Sequence, residues 1–111
     1  MSTGSHLPVI ALPRLDLEAP DVDEAQAAAA LLADRTRAAV MRLLRDGPHC
    51  VCEIAAALGE RENNVSNHLA KLREAGLVRA IRHETNGRFQ YYERDETAVA
   101  RARAALEDIL A

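Results

Sequence analysis

The stretch from Arg61 to Gly76, RENNVSNHLAKLREAG, constrains this chain more than any other. Val65, Leu69 and Leu72 recur at spacings of four and three, the period of a helix with one narrow apolar face. Gly76 supplies a residue that readily takes the left-handed conformation in which such helices end. Asn63, Asn64, Asn67 and Lys71 fall on the opposite face, with Ser66 and His68 on the flanks. A buried helix would not gather short amides on one side, and a merely solvated face more often carries Glu and Lys. An Asn side chain can meet an adenine edge with two hydrogen bonds, and a lysine can meet a phosphate. Asn63, Asn64, Ser66, Asn67, His68 and Lys71 are therefore candidate DNA contacts of a helix that reads the major groove. The competing reading is an ordinary polar outer face.

The next segment of the chain favours DNA contact. Leu77 to Glu84 (LVRAIRHE) and Arg88 to Glu93 (RFQYYE) are short runs holding β-branched and aromatic residues, separated by Thr85-Asn86-Gly87. Asn-Gly between such runs predicts a β-hairpin, because both residues accept positive φ. The hairpin is basic, with Arg79, Arg82, His83 and Arg88. A polar reading helix followed by a basic hairpin describes a winged helix-turn-helix, with Arg82 and Arg88 as further DNA contacts. The expected fold is mainly α with a β-hairpin wing, about five helices and two strands.

Bulk properties agree. The chain has 111 residues, enough for one domain with a modest core. Hydrophobic residues make up 49% but aromatics only 3%, and much of the remainder is alanine, which suits closely packed helices. The sequence has no apolar run of membrane-spanning length and no basic-then-apolar leader, so a cytoplasmic protein without membrane contact is expected. Net charge is −3, which alone argues against a nucleic-acid binder. The charge is unevenly spread, however: residues 1–60 carry −4, residues 61–94 carry +3 and residues 95–111 carry −2. The positive share coincides with the proposed helix and hairpin, where phosphate contact needs it.

Residues 1–20 hold three of the four prolines and no helical period, and read as a flexible arm. Residues 21–111 read as a single DNA-binding and dimerisation domain. Asp21 to Glu24 has capping-box spacing before an alanine-rich helix, Ala25 to Ala33. Asp34 can cap a second helix that ends at Gly47 and Pro48. Val51, Ile54, Ala55 and Leu58 mark a short supporting helix, closed by Gly59. Asp95 opens a last helix whose Ala98, Val99, Ala102, Leu106, Ile109 and Leu110 form an apolar face too long for a small monomer to cover. Together with the alanine-rich helix it predicts a homodimer.

Cys50 and Cys52 lie at the start of the supporting helix, where the helix dipole favours thiolate. Two thiolates two residues apart at a helix end can converge on a soft ion. His49, Glu53 and His6 are further candidate ligands. Both cysteines could equally be small buried apolar residues, or a redox pair. In a reducing cytosol a structural disulfide between them is not expected.

Three ordered segments, ADRTRAAVMRLLRDGPHCVCEIAAALG, NNVSNHLAKLREAGLV and NGRFQYY, resemble the ArsR/SmtB family of metal-sensing winged-helix repressors over about residues 25 to 110. The resemblance implies a homodimer that leaves operator DNA when it binds a metal. It also implies that Cys50 and Cys52 match the family's cysteine metal box. The expected effector is then a thiophilic ion, namely arsenite, antimonite, cadmium or lead, with no organic cofactor. This chain departs from the family's known ligand sets at several positions. Ala55 stands where arsenic sensors often carry a third cysteine, and the arm has no cysteine. Asp95, Thr97, Asp108 and Ala111 stand at the zinc-sensor positions, without their histidines and glutamate. Arg61-Glu62-Asn63 replaces the family's usual Ser-Gln-Ser.

No enzyme constellation is present: there is no Gly-rich phosphate loop, and the four histidines are scattered. Two other functions compete. One keeps DNA binding but answers to nickel through His and carboxylates, to thiol oxidation or to a partner protein. The other is a protein-interaction module with no effector of its own.

Overall fold

The computed structural model describes residues 11–14, 16–82 and 90–111. Helix α1 spans Pro20–Leu32. It starts ahead of the spacing that predicted its cap: Ala19 is the N-cap and makes no side-chain capping bond. Proline at the first helical position explains the earlier start, because its φ is preset and its missing N–H would have been unpaired there. Helix α2, Arg35–Leu43, is capped by Asp34, whose Oδ1 accepts from the Arg37 backbone N–H at 3.0 Å. It tightens into a 3₁₀ turn, Leu44–Asp46, and Gly47 ends it at φ 140°.

Helix α3 is Val51–Leu58, closed by Gly59 at φ 66°, and helix α4 is Glu62–Glu74. Gly76, at φ 81°, then turns the chain into strand β2, Val78–Arg82. Strand β3 is Gln90–Arg94, and helix α5, Glu96–Leu110, is capped by Asp95. The expected Thr85-Asn86-Gly87 turn, with His83 and Arg88, lies outside the described residues, as does His6.

A strand not foreseen from the sequence, β1 at His49–Cys50, makes the sheet three-stranded in the order β1-β3-β2. His49 pairs with Tyr92 and Cys50 with Tyr91, both antiparallel. Two residues are too few to show a period of two, so only the free edge of β3 reveals them as a strand.

The core joins α2, α3, α4 and the sheet. Val40, Met41 and Leu44 of α2 and its turn meet Ile54 and Ala55 of α3, Val65, Leu69 and Leu72 of α4, Leu77 of the turn before β2, and Val78 and Tyr92 of the sheet. Leu69 and Leu72 are fully enclosed, so truncating either to alanine should cost about 2–5 kcal/mol. That burial fixes the rotation of α4 about its own axis and so decides which residues face outward. Helices α1 and α5 pack on each other beside this core, with Ala25 and Ala28 buried and Glu24 paired to Arg101 at 3.2 Å. None of the residues of α5 is fully buried; Ile109 is 54% exposed and Leu110 82%.

Candidate DNA-reading face and cysteine pair

With Val65, Leu69 and Leu72 inside, α4 turns Asn63, Ser66, Asn67, Ala70 and Lys71 to solvent. Of the predicted contacts, Asn63, Ser66, Asn67 and Lys71 share this face. Ala70 was not singled out from the sequence, though it stands between Asn67 and Lys71, where a methyl group can meet a thymine methyl.

Two predicted contacts lie elsewhere. Asn64 is half-buried, and its Nδ2 donates to Glu60 Oε2 at 3.1 Å. His68 is turned toward α2, with its Nδ1 3.3 Å from Arg37 Nη1 and 3.7 Å from Asp34 Oδ1. Position 68 sits one residue off the outer face, which brings the ring against the start of α2 instead of into the outward row. Asp34, which caps α2, has its carboxyl held below the usual range, chiefly by the Arg37 backbone N–H and further by the charges of His68 and Arg37.

The described part of the hairpin is less free to meet phosphate than its composition implied. Arg79 is engaged by Glu93 at 2.8 Å and by Asp95 at 3.5 Å, and the bond to Glu93 raises its pKa further. Arg94 donates to the Met41 carbonyl at 3.3 Å and pairs with Glu96, tying β3 to α2. Arg82 is exposed at the end of β2.

At the other candidate site, Cys50 leaves the sheet in an extended conformation and becomes the N-cap of α3. Its backbone N–H donates to Glu53 Oε1 at 3.0 Å, and its Sγ accepts from the Glu53 N–H at 3.4 Å. The Cys50 and Cys52 sulfurs are bonded to each other, with Cα atoms 5.4 Å apart, contrary to the expectation of two free thiols. The extended-to-helical switch at Cys50 throws both side chains to one side of the helix end, so reduced thiolates there would both reach one soft ion. The other proposed ligands do not close a shell. Glu53 serves the cap, and His49 Nδ1 lies 3.7 Å from that same carboxylate. Among the described residues, no group of three or more His, Cys, Asp and Glu side chains is placed to hold a metal ion.

A supporting helix, a reading helix with an amide-rich outer face and an antiparallel hairpin define a winged helix-turn-helix protein. The chain belongs to the arsR family of bacterial regulatory proteins, whose sequence profile matches residues 34–80. A crystal structure described as "Possible transcriptional regulator for arsenical resistance" superposes with a TM-score of 0.69 at 32% identity, over 77% of this chain and 85% of that one. The solution structure of a homodimeric winged helix-turn-helix DNA-binding domain from Mycobacterium bovis, a possible ArsR-family regulator, matches at 29% identity with a TM-score of 0.62, over 86% and 87%. The arsenical resistance operon repressor of Escherichia coli is 45% identical over 49 residues, 43% of this chain and 42% of that protein. The chain spans only 42% to 64% of the length of its sequence relatives. Those relatives are transcriptional regulators. Among the described residues, no helix is long and apolar enough to cross a membrane.

Proposed function

We infer that this protein is a DNA-binding transcriptional repressor that acts as a homodimer. The observation that carries the reading is the division of α4, with Val65, Leu69 and Leu72 enclosed and Asn63, Ser66, Asn67 and Lys71 exposed in one row. Asn67 and Asn63 read base edges, Lys71 and Arg82 meet phosphates, and Arg88 adds a phosphate contact. Asn64 and His68 act behind this row. The exposed apolar end of α5 and the alanine face of α1 form the dimer seam, as the homodimeric relative suggests.

The effector is a thiophilic metal or metalloid, arsenite, antimonite, cadmium or lead, bound by Cys50 and Cys52 as thiolates. Two sulfurs leave such an ion short of ligands, and water, His49 or an arm residue such as His6 completes the shell. Ligation at the first turn of α3 shifts that helix against α4, so the two readers of the dimer no longer match successive grooves. Coupling of this kind is typically about 1–3 kcal/mol. Thiol oxidation is the second reading, favoured by the bond between the two sulfurs.

Gel-shift selection from random duplexes, followed by addition of each ion under reductant, tests the assignment. A duplex that is bound and then released by arsenite or cadmium in the wild type, but retained by the Cys50→Ser, Cys52→Ser double variant, is the expected result. Release from the double variant would move the sensing site elsewhere. Failure to select any duplex would remove the DNA reading itself.

A further inference from the structure

We propose that His68 is a positioning residue, the acceptor in an acid-sensitive bridge that runs from the dimer helices through Arg37 to the reading helix. The inference rests on the DNA-binding reading above. Arg37 spans the gap: its Nε donates to the Leu31 carbonyl at 2.7 Å, and its Nη1 lies 3.3 Å from His68 Nδ1. Leu31 is in the last turn of α1, the helix that packs on α5, and His68 is in the middle of α4. One guanidinium therefore links the proposed dimer seam to the reader, in addition to the apolar core.

The chemistry of the contact sets its proton dependence. A guanidinium only donates, so an Nδ1 that bonds Arg37 does so as the acceptor, with the proton of the neutral ring on Nε2. Protonating Nδ1 removes that acceptor and sets a positive ring against Arg37. The nearest alternative partner is the Asp34 carboxylate, 3.7 Å away, to which a protonated Nδ1 can donate. Asp34 and Arg37 from α2, with the Leu31 carbonyl behind them, face the ring in the described residues; Lys71, one turn along α4, is exposed. Imidazole is the side chain whose ordinary titration falls between pH 5 and 8.

The opposing effect is that a new positive charge on α4 would attract phosphate. The ring side chain is only 15% exposed and faces α2, so loss of the bridge dominates and acid weakens operator binding.

The test compares operator affinity at pH 8 and pH 5.5 for the wild type and His68→Asn, whose Oδ1 can accept from Arg37 but does not titrate. The wild type should bind about tenfold more weakly at pH 5.5, within the usual range of coupling between sites. In His68→Asn the ratio of the two affinities should collapse to about one. His6, His49 and His83 remain in both proteins, so the difference belongs to position 68. Tighter wild-type binding at pH 5.5, or an undiminished step in His68→Asn, would overturn the proposal. A second readout needs no DNA: ring ¹⁵N shifts of His68 at pH 8 should report the proton on Nε2 and change in Arg37→Met. A proton on Nδ1 there would overturn the bridge, even if the protein proved not to bind DNA at all.

Discussion

Cys50 and Glu53 hold each other across the first turn of α3, each donating its backbone N–H to the other's side chain, at 3.0 Å to Glu53 Oε1 and 3.4 Å to Cys50 Sγ. The sulfur proposed as an ion ligand is thus also the cap of the supporting helix. Anything that draws on that sulfur acts directly on a structural hydrogen bond.

This dual role separates two substitutions. Cys50→Ser keeps an acceptor for the Glu53 N–H, whereas Cys50→Ala removes it and should cost about 1 kcal/mol. Both should abolish the thiolate-to-metal absorption that cadmium produces in the reduced wild type. Urea denaturation of the reduced proteins measures the first effect, and equal stability of the two variants would show that the cap is not significant. Because the proposed ligands bind as thiolates, this proposal also predicts that cadmium affinity falls as pH falls.

The outward row of α4 predicts two kinds of loss. Asn67→Ala should weaken binding to the selected operator by about 1–3 kcal/mol and leave random duplex affinity unchanged. Lys71→Ala should weaken all duplexes alike and lower the slope of log affinity against log salt by about one. Salt-titrated gel shifts on both DNAs distinguish them. An Asn67→Ala protein with intact operator affinity would show that this row does not read bases.

Leu106 lies half-buried on α5, between the half-buried Ala102 and the exposed Ile109 and Leu110. Leu106→Asp should convert a micromolar-stable dimer to monomer by light scattering and reduce operator affinity in parallel. A wild-type monomer that still bound a full palindrome tightly would rule out the dimer.

Gly76 tests the exit from the reading helix. It sits at φ 81°, and a Cβ added there meets no atom within 4 Å, so any penalty is conformational and not steric crowding. Gly76→Ala should therefore cost about 1 kcal/mol, Gly76→Asn less, and Gly76→Val more. Thermal melts of the three variants rank them, and a valine variant as stable as the wild type would contradict the assigned backbone.

The sequence by itself determined the reading helix, its supporting helix and the two long strands, because each is specified by a local period or a local stop. Val65, Leu69 and Leu72 define an inner face without reference to any partner, and Gly59 and Gly76 end their helices through backbone freedom alone. The same period placed Asn63, Asn67 and Lys71 on the outward row, whereas Asn64, assigned to that row, is half-buried and Ser66, assigned to its flank, is exposed beside Asn67. Only the tertiary structure decided which polar groups are already engaged, since the partners lie far apart along the chain. His68 meets Arg37 31 positions away, Arg79 meets Glu93 14 away, and Arg94 meets the Met41 carbonyl 53 away. Composition counted Arg79 as available positive charge, and helical spacing set His68 on the flank of the reading face as a candidate contact; packing engages both inside the fold. Strand β1 obeys the same rule: two residues carry no period, and His49–Cys50 becomes a strand because β3 presents an edge to it. Hydrophobic and backbone preferences act within a few residues and can be read in order, whereas a hydrogen-bond partner is chosen only when distant segments have been brought within about 3 Å.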